Sequence, residues 1–188
     1  TKQLATVLFK VPDGPAPLPF LTGTSQSAVY DLRPKARVLV IGVGGGTDVL
    51  MALALGATEV TAVELNPVNA HAVRDVFGGY VGNVLSDPRV HLIVEEGRNF
   101  AARDTRHYDV VQLSGVDTGT AQGAYGLGTM PESHIYTVEA VRDFLQRLAP
   151  DGVLSITRDR AFGWSLRLAA VAPARYLRGL ESHLRMPA

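Results

Sequence analysis

The chain has 188 residues, with 18 basic and 18 acidic side chains, and it contains no cysteine. This length suffices for one domain with a substantial core. The balanced charge disfavours nucleic acid or an anionic membrane as the main partner, and the lack of cysteine excludes disulfides and thiolate metal sites. No apolar run approaches the ~20 residues that a membrane span requires.

Residues 1–30 are predicted to form a lead-in to the domain. Pro12, Pro15, Pro17 and Pro19 alternate with small residues there, a pattern that disfavours helix and central strand. The chain begins with threonine rather than methionine, so we expect it to be a piece of a longer protein.

From Arg37 onward, short apolar runs alternate with helix-like stretches. The runs typical of buried strands are RVLVIG, EVTAVEL, RVHLIVEEG, YDVVQLS and GVLSIT. The helix-like stretches between them are TDVLMALALGA, NPVNAHAVRDVFG, RNFAARDT and TVEAVRDFLQRLAPDG. Strict alternation predicts parallel strands joined by right-handed crossovers, in a doubly wound α/β sheet. Gly56 and Gly152 are predicted to end helices, and Pro67 to begin one.

The C-terminal part of the chain is predicted to be helical. The stretch WSLRLAAVAPARYLRGLESHL is interrupted by Pro173, and no strand is expected after it. We therefore expect a nucleotide-binding domain over residues 31–160, a helical segment over 161–188, and a sheet that lacks its final strands.

Four glycines, Gly42, Gly44, Gly45 and Gly46, follow the first predicted strand. In an open α/β sheet the ligand lies beyond the carboxyl ends of the strands, at this kind of turn. Glycine supplies positive φ and lets backbone N–H groups approach a ligand. Glu64 follows 22 residues after Gly42, at the end of the second strand, where an acid can accept both ribose hydroxyls. The pair predicts a nucleotide-like ligand, although a merely tight turn is the alternative for the glycines alone.

The spacing of the loop favours one class of nucleotide. The dinucleotide fingerprint requires Gly or Ala where Thr47 stands, and no G-K-[ST] follows for a P-loop. Glu95 and Glu96 close the third strand and offer a second acid, suited to an adenine amine. This pattern favours an S-adenosylmethionine-type ligand over NAD. The five histidines have no metal-ligand spacing, so we expect no metal.

Five motifs in order, spread over residues 24–160, resemble the spermidine synthase-like family of aminopropyltransferases. They are VLVIGVGGGTDVL, EVTAVELNP, DPRVHLIVEEGRNF, YDVVQLSGVDT and YTVEAVRDFLQRLAPDGVLSITR. The similarity is greatest to the bacterial branch, in which such a domain often follows a membrane-embedded region. The resemblance implies the class I methyltransferase fold, for which we expect the strand order 3-2-1-4-5. It also implies S-adenosylmethionine or its decarboxylated form as cofactor, with the glycine loop around the methionine-derived part. Glu64 would then bind the ribose, and Glu96 with Gly97 would lie near the adenine.

Two acids of the family pattern are missing. The loop acid that holds the cofactor's amine aligns with Gly45, and the aspartate that serves as the base aligns with Ser114. Glycine at position 45 suits the carboxylate of ordinary S-adenosylmethionine. Asp48 either replaces the missing loop acid in part or stabilises the start of a helix. A serine acts as a base only with an activating partner, and the sequence reveals none.

The glycine-rich residues 114–133 are expected to overhang the cofactor site as a lid. Asp117, the later family acid, is retained and is the candidate for an acceptor contact or general base, with a loop-capping acid as the alternative.

We therefore predict a cytoplasmic transferase domain that moves an aminopropyl or methyl group from the S-adenosylmethionine-type ligand to a small-molecule acceptor such as an amine. The alternatives are a methyltransferase proper and a non-catalytic nucleoside-binding module of a larger membrane protein. A homodimer is left open.

Overall fold

The computed structural model describes residues 8–11, 18–116, 134–157 and 172–173. The strands are β1 (Arg37–Ile41), β2 (Glu59–Glu64), β3 (Val90–Val94), β4 (Tyr108–Ser114), β5 (Leu148–Thr157) and β6 (Ala172–Pro173). The α-helices are α1 (Ala28–Leu32), α2 (Thr47–Ala54), α3 (Pro67–His71), α4 (Gly97–Arg103) and α5 (Val138–Gln146). A π-helical turn at Ala72–Val76 extends α3, and single 3-10 turns lie at Pro19–Leu21, Val84–Ser86 and His134–Tyr136.

The strands form one sheet in the order β3-β2-β1-β4-β5-β6. The first five are parallel, and β6 pairs antiparallel with β5. The predicted doubly wound fold with the order 3-2-1-4-5 is thus confirmed. The winding reverses between β1 and β4, and a crevice that binds ligands forms at such a switch point in open α/β sheets. We call the edge where the parallel strands end the carboxyl edge.

Each face of the sheet carries its own hydrophobic core, because alternate strand residues point to opposite faces. One core joins Val38, Val40 and Val110 to the side chains of α1 and α2, and the other joins Leu39, Ile41 and Leu113 to those of α4 and α5. β1, β2, β4 and the second half of β5 are largely buried on both faces, as their continuous apolar runs predict. β3, at the edge of the sheet, is only partly buried, so its apolar run did not indicate a buried strand correctly.

The end of α5 differs from the prediction. The helix ends at Gln146, and Gly152 lies inside β5 rather than after a helix. A Cβ atom at Gly152 would lie 2.8 Å from the carbonyl oxygen of Tyr108, and the register of β4 against β5 shifts between Tyr108 and Val110. Glycine is therefore needed because two strands approach closely at an irregularity.

Both ends of the domain also depart from expectation. Leu21, Val29 and Tyr30 are buried in the core, although the lead-in was assigned up to residue 30. Ala172 and Pro173 pair antiparallel with β5, at the point where Pro173 was expected to interrupt the helical stretch. The remainder of 161–188 lies outside the described residues. In the part of the chain that the structure describes, no helix has the length and apolarity to cross a membrane.

Candidate cofactor site

The glycine loop between β1 and α2 has the left-handed backbone that its sequence predicts. The φ angles are +81° at Gly42, +53° at Gly44 and +86° at Gly46, a region that residues with a Cβ rarely adopt. The Gly42 N–H donates to the carbonyl of Val63 (2.8 Å), and the Gly46 N–H donates to that of Val43 (2.9 Å). The loop is therefore fixed against β2 and against itself.

The protein's own side chains explain part of the need for glycine. A Cβ at Gly42 would lie 2.8 Å from Cγ1 of Val116, and one at Gly46 would lie 3.1 Å from Cγ1 of Val84. At these two positions close packing, in addition to the positive φ, excludes a larger residue.

Glu64 ends β2 beside the loop and is 7% exposed. Its Oε2 accepts hydrogen bonds from the Gly44 N–H and from Nδ2 of Asn69, both at 3.2 Å. Its Oε1 accepts a bond from the Asn66 N–H at 2.8 Å, and Asn69 also donates to the Gly44 carbonyl at 2.9 Å. A carboxylate has about four lone-pair sites, so these three bonds leave capacity for a ligand hydroxyl. Sequence reasoning missed Asn66 and Asn69, although asparagine is a common helix cap.

The helix that follows the loop, α2, begins without a side-chain cap, as α1 also does, whereas the three later helices are capped. Asn66, Glu96 and Thr137 cap α3, α4 and α5 through their side chains. The first residue before α2 is Gly46, and no side chain in the described part of the chain caps this helix. The first N–H groups of a helix lack intrahelical partners. A ligand at the carboxyl edge can therefore supply acceptors for those of α2.

Glu96 and Gly97, predicted to lie near the adenine, have structural roles at the start of α4. The Glu96 carboxylate accepts hydrogen bonds from the N–H groups of Arg98 (3.0 Å) and Asn99 (2.7 Å). A Cβ at Gly97 would lie 2.5 Å from Cγ2 of Ile41, so close packing requires the glycine. These contacts account for both residues without a ligand, and the adenine contact stays a prediction.

Asp48 and Ser114, 66 positions apart in the sequence, meet at the carboxyl edge. Asp48 lies in the first turn of α2 and is 8% exposed, and its carboxylate accepts hydrogen bonds from Ser114 and Gln112. The Tyr30 hydroxyl donates to Oε1 of Gln112 at 2.6 Å, and Nε2 of Gln112 lies 3.4 Å from Oγ of Ser114. Ser114 thus has the acidic partner that the sequence does not reveal. We call these four residues the Asp48 cluster.

Burial is the largest cause of the shifted pKa values of Asp48 and Tyr30. It raises the pKa of Asp48 to about 6, although the hydrogen bonds from Ser114 and Gln112 act in the opposite direction. Burial and the charge of Asp48 also raise the pKa of the Tyr30 phenol. In the sequence, the signal of this cluster is a glutamine inside the apolar run YDVVQLS. In the structure this side chain is fully buried.

The remaining predicted residues fall into two groups. Gly45 lies in the loop between Gly44 and Gly46. Asp117 and the other residues of 117–133, predicted as a lid, lie outside the described residues. Within the described ranges no three acidic, histidine or cysteine side chains form a group that could hold a metal ion.

The raised pKa of Asp48 predicts a definite pH dependence of stability. Because the folded state holds this proton more tightly than the unfolded chain, its contribution to stability is present below about pH 4 and is lost as the pH rises to about 6. We expect Asp48→Asn to increase the free energy of unfolding at pH 7.5 by up to about 3 kcal/mol relative to the unsubstituted chain, and by much less at pH 4. Urea denaturation at both pH values measures the difference.

Glu95 serves as the matched control, because its pKa is shifted in the opposite direction to that of Asp48. The hydrogen bond from Arg103 lowers the pKa of Glu95, so Glu95→Gln is expected to be no more stable than the unsubstituted chain at pH 7.5. Equal stability of Asp48→Asn and the unsubstituted chain at both pH values would contradict the assigned cost of burying Asp48.

Comparison with known proteins gives relatives in two transferase classes, while no family model matches. Polyamine aminopropyltransferase 2 of Pseudomonas aeruginosa is 28% identical over 148 residues, which are 78% of this chain and 40% of the relative. A polyamine aminopropyltransferase of Korarchaeum cryptofilum is 31% identical over 129 residues, or 69% of this chain and 37% of the relative. An eEF1A lysine and N-terminal methyltransferase homolog of Drosophila melanogaster is 25% identical over 123 residues, or 63% of this chain and 17% of the relative.

The chain thus spans about two fifths of the length of the two aminopropyltransferases. Among solved structures, the spermidine synthase of Thermotoga maritima has a TM-score of 0.52 at 20% identity, over 73% of this chain and 42% of that one. This likeness establishes the shared fold. In sequence, the chain is similar to members of the spermidine synthase-like family, at 28% and 31% identity to the two aminopropyltransferases.

Proposed function

We propose that this chain is the cofactor-binding domain of a transferase that moves an alkyl group from an S-adenosylmethionine-type ligand to a small-molecule acceptor. The observation that carries the proposal is the Glu64 carboxylate, buried beside the glycine loop at the carboxyl edge and hydrogen-bonded to the Gly44 N–H. An acid next to backbone donors, at the first strand-to-helix turn of such a sheet, suits a nucleoside with a polar tail. The names of the relatives support the same reaction class.

The residues present fit such a ligand. In the proposal, Gly42, Gly44, Gly45 and Gly46 surround the methionine-derived part, where the uncapped start of α2 offers N–H donors. Glu64 accepts a ribose hydroxyl with the lone pairs that its three internal bonds leave free. Glu96 and Gly97 lie near the adenine, at the start of α4. When bound, the ligand supplies an electrophilic carbon next to its sulfonium, and the chain's own contribution is positioning and electrostatics.

The composition of the loop favours ordinary S-adenosylmethionine over its decarboxylated form. Gly45 stands where an acid would repel a carboxylate, and the nearby Asp48 is engaged by Ser114 and Gln112. Backbone N–H donors at a helix start attract a carboxylate. This argument makes methyl transfer the second candidate reaction beside aminopropyl transfer, and one relative is named as a methyltransferase. Asp117 remains the proposed acceptor-facing acid.

Isothermal titration of the 188-residue chain with S-adenosylmethionine, its decarboxylated form and NAD tests the proposal. We expect S-adenosylmethionine to bind more tightly than NAD. Preference for the decarboxylated form would favour aminopropyl transfer, whereas preference for NAD, or binding of none by a folded chain, would contradict the proposal.

Replacement of the buried acid tests the site itself. We expect Glu64→Ala to weaken binding of S-adenosylmethionine at least tenfold, or about 1.4 kcal/mol, because the ribose contact and the tie to the loop are lost together. Asn69→Ala removes ties to the loop but keeps the carboxylate, and we expect it to cause a smaller loss.

The control for Glu64→Ala is Glu59→Ala. Glu59 begins the same strand β2 at the opposite edge of the sheet and pairs with His91, so its replacement should leave the affinity unchanged. Equal affinities of Glu64→Ala and Glu59→Ala, in chains shown to be folded, would place the ligand elsewhere.

A further inference from the structure

The strand β3 lies at one end of the sheet and has a neighbouring strand, β2, on one side only. Two hydrogen bonds show which of its peptide groups face that neighbour. The Val60 N–H donates to the carbonyl of Arg89 at 2.8 Å, and the Glu95 N–H donates to the carbonyl of Glu64 at 3.0 Å. Peptide groups alternate in direction along a strand. The backbone groups at positions 89, 91, 93 and 95 therefore face β2, and those at 90, 92 and 94 face away from the sheet.

The outward-facing groups of β3 are mostly without partners. The Val90 N–H donates to the carbonyl of Asp87 at 2.9 Å. In the ranges that the structure describes, the N–H groups of Leu92 and Val94 form no hydrogen bond on this side. An edge of this kind offers a ready-made template for a further strand.

The edge also lacks the features that usually protect an edge strand. The five residues VHLIV include no proline, glycine, lysine, arginine or acid, although such residues commonly discourage pairing at edges. The register against β2 runs through all of them without a bulge. Val94 is an apolar side chain that is 52% exposed. The edge is therefore apolar, regular and open in the described part of the chain.

The sequence around β3 is complementary to itself. Residues 89–95 read RVHLIVE, with Leu92 at the centre. An antiparallel pairing of two copies about a twofold axis at Leu92 places Val90 opposite Val94 of the second copy. The same pairing places Arg89 opposite Glu95 of the second copy. Apolar residues then meet apolar residues, and opposite charges meet at both ends.

We propose that β3 is the interface through which a second copy of this chain docks, by antiparallel pairing of the two β3 strands about Leu92. In this pairing each Leu92 N–H donates to the Leu92 carbonyl of the other copy, and each Val94 N–H donates to the Val90 carbonyl of the other copy. The Val90 N–H, which already has a partner in Asp87, is not required. Such an isologous contact closes on itself and limits the assembly to two copies.

Charge complementarity favours a second copy over an unrelated strand. The peptide groups of Arg89 and Glu95 face β2, so these residues form a non-hydrogen-bonded pair across the interface, in which side chains approach most closely. Within one copy Arg89 pairs with Asp87, and Glu95 pairs with Arg103. Across the interface the charges then alternate in sign from Asp87 to the second copy's Arg103, and no like charges are neighbours.

The proposed pairing does not depend on the proposed function. Because the two β3 strands are antiparallel, the carboxyl edges of the two copies face in opposite directions, and each copy keeps its own candidate cofactor site.

Sedimentation of the 188-residue chain over a concentration series tests the interface. We expect a monomer–dimer equilibrium whose dissociation constant Val94→Lys raises about tenfold or more, because a charged side chain then lies at the paired edge. The matched control is Val138→Lys, at a 71% exposed valine in α5, and should leave the dissociation constant unchanged.

Reversal of the end charges separates contact between copies from contact within one copy. Arg89→Glu is expected to weaken the dimer by about tenfold, and adding Glu95→Arg should restore it. Within one copy the double variant places like charges beside both Asp87 and Arg103, so only a contact between copies can account for the rescue. Arg37→Glu, which reverses the partner of Asp109 at the start of β1, serves as the control.

Cross-linking tests the register and does not depend on the charged variants. The chain has no cysteine, so single cysteines can be introduced without background. Residues in a hydrogen-bonded antiparallel pair have Cα atoms about 5.5 Å apart, within the range of a disulfide. We expect an oxidised mixture of Val90→Cys and Val94→Cys chains to form a disulfide-linked dimer, and either chain alone to form far less.

Three results would overturn the proposal. One is a folded chain that stays monomeric up to about 1 mM. Another is a dimer whose dissociation constant neither Val94→Lys nor Arg89→Glu changes. The third is a mixture of the two cysteine variants that cross-links no better than either variant alone.

Discussion

The carboxylate of Glu64 holds the carboxyl edge together. Its three hydrogen bonds join the end of β2 to the glycine loop after β1 and to the start of α3. Without them the Gly44 N–H and the Asn66 N–H would need other acceptors. In the proposed function, the carboxylate that fixes the loop is also the group that a ribose hydroxyl would meet. Loop conformation and ligand recognition would then depend on one side chain.

The second carboxylate of the edge, Asp48, is one whose pKa burial raises, to about 6. In the described part of the chain no ion pair involves it. A domain selected for stability alone would gain from an amide at this position. Retaining a costly acid next to Ser114 fits a site in which stability is given up for binding.

The fold was largely predictable because its signals are local. The residues of β4 were predicted without error, and Gly56 and Pro67 mark the end of α2 and the start of α3 as expected. The error at Gly152 arose because a glycine after a helical pattern indicates a helix end as readily as a close approach of two strands. Only the register of β4 against β5 distinguishes the two.

The relative placement of the candidate residues was predictable from the sequence, but their contacts were less so. Glu64 and the glycine loop lie together as the alternating pattern requires. From the sequence, Glu96 was expected to be available for a ligand, but its side chain caps α4. This role depends on the residue at which the helix begins. The contact of Asp48 with Ser114 joins the first turn of one helix to the end of a strand far along the chain. No periodicity or spacing encodes such a contact, because it depends on the tertiary placement of α2 over β4.

The most direct test of the central claim is an amide NMR titration of the 15N-labelled chain with S-adenosylmethionine. The claim is that the glycine loop and the end of β2 form the nucleoside site. It predicts the largest chemical-shift changes at the amides of Gly44, Gly45, Gly46 and Asn66, with little change at Arg37 on the opposite edge of the sheet. Binding that shifts other amides and leaves these four unchanged would contradict the account.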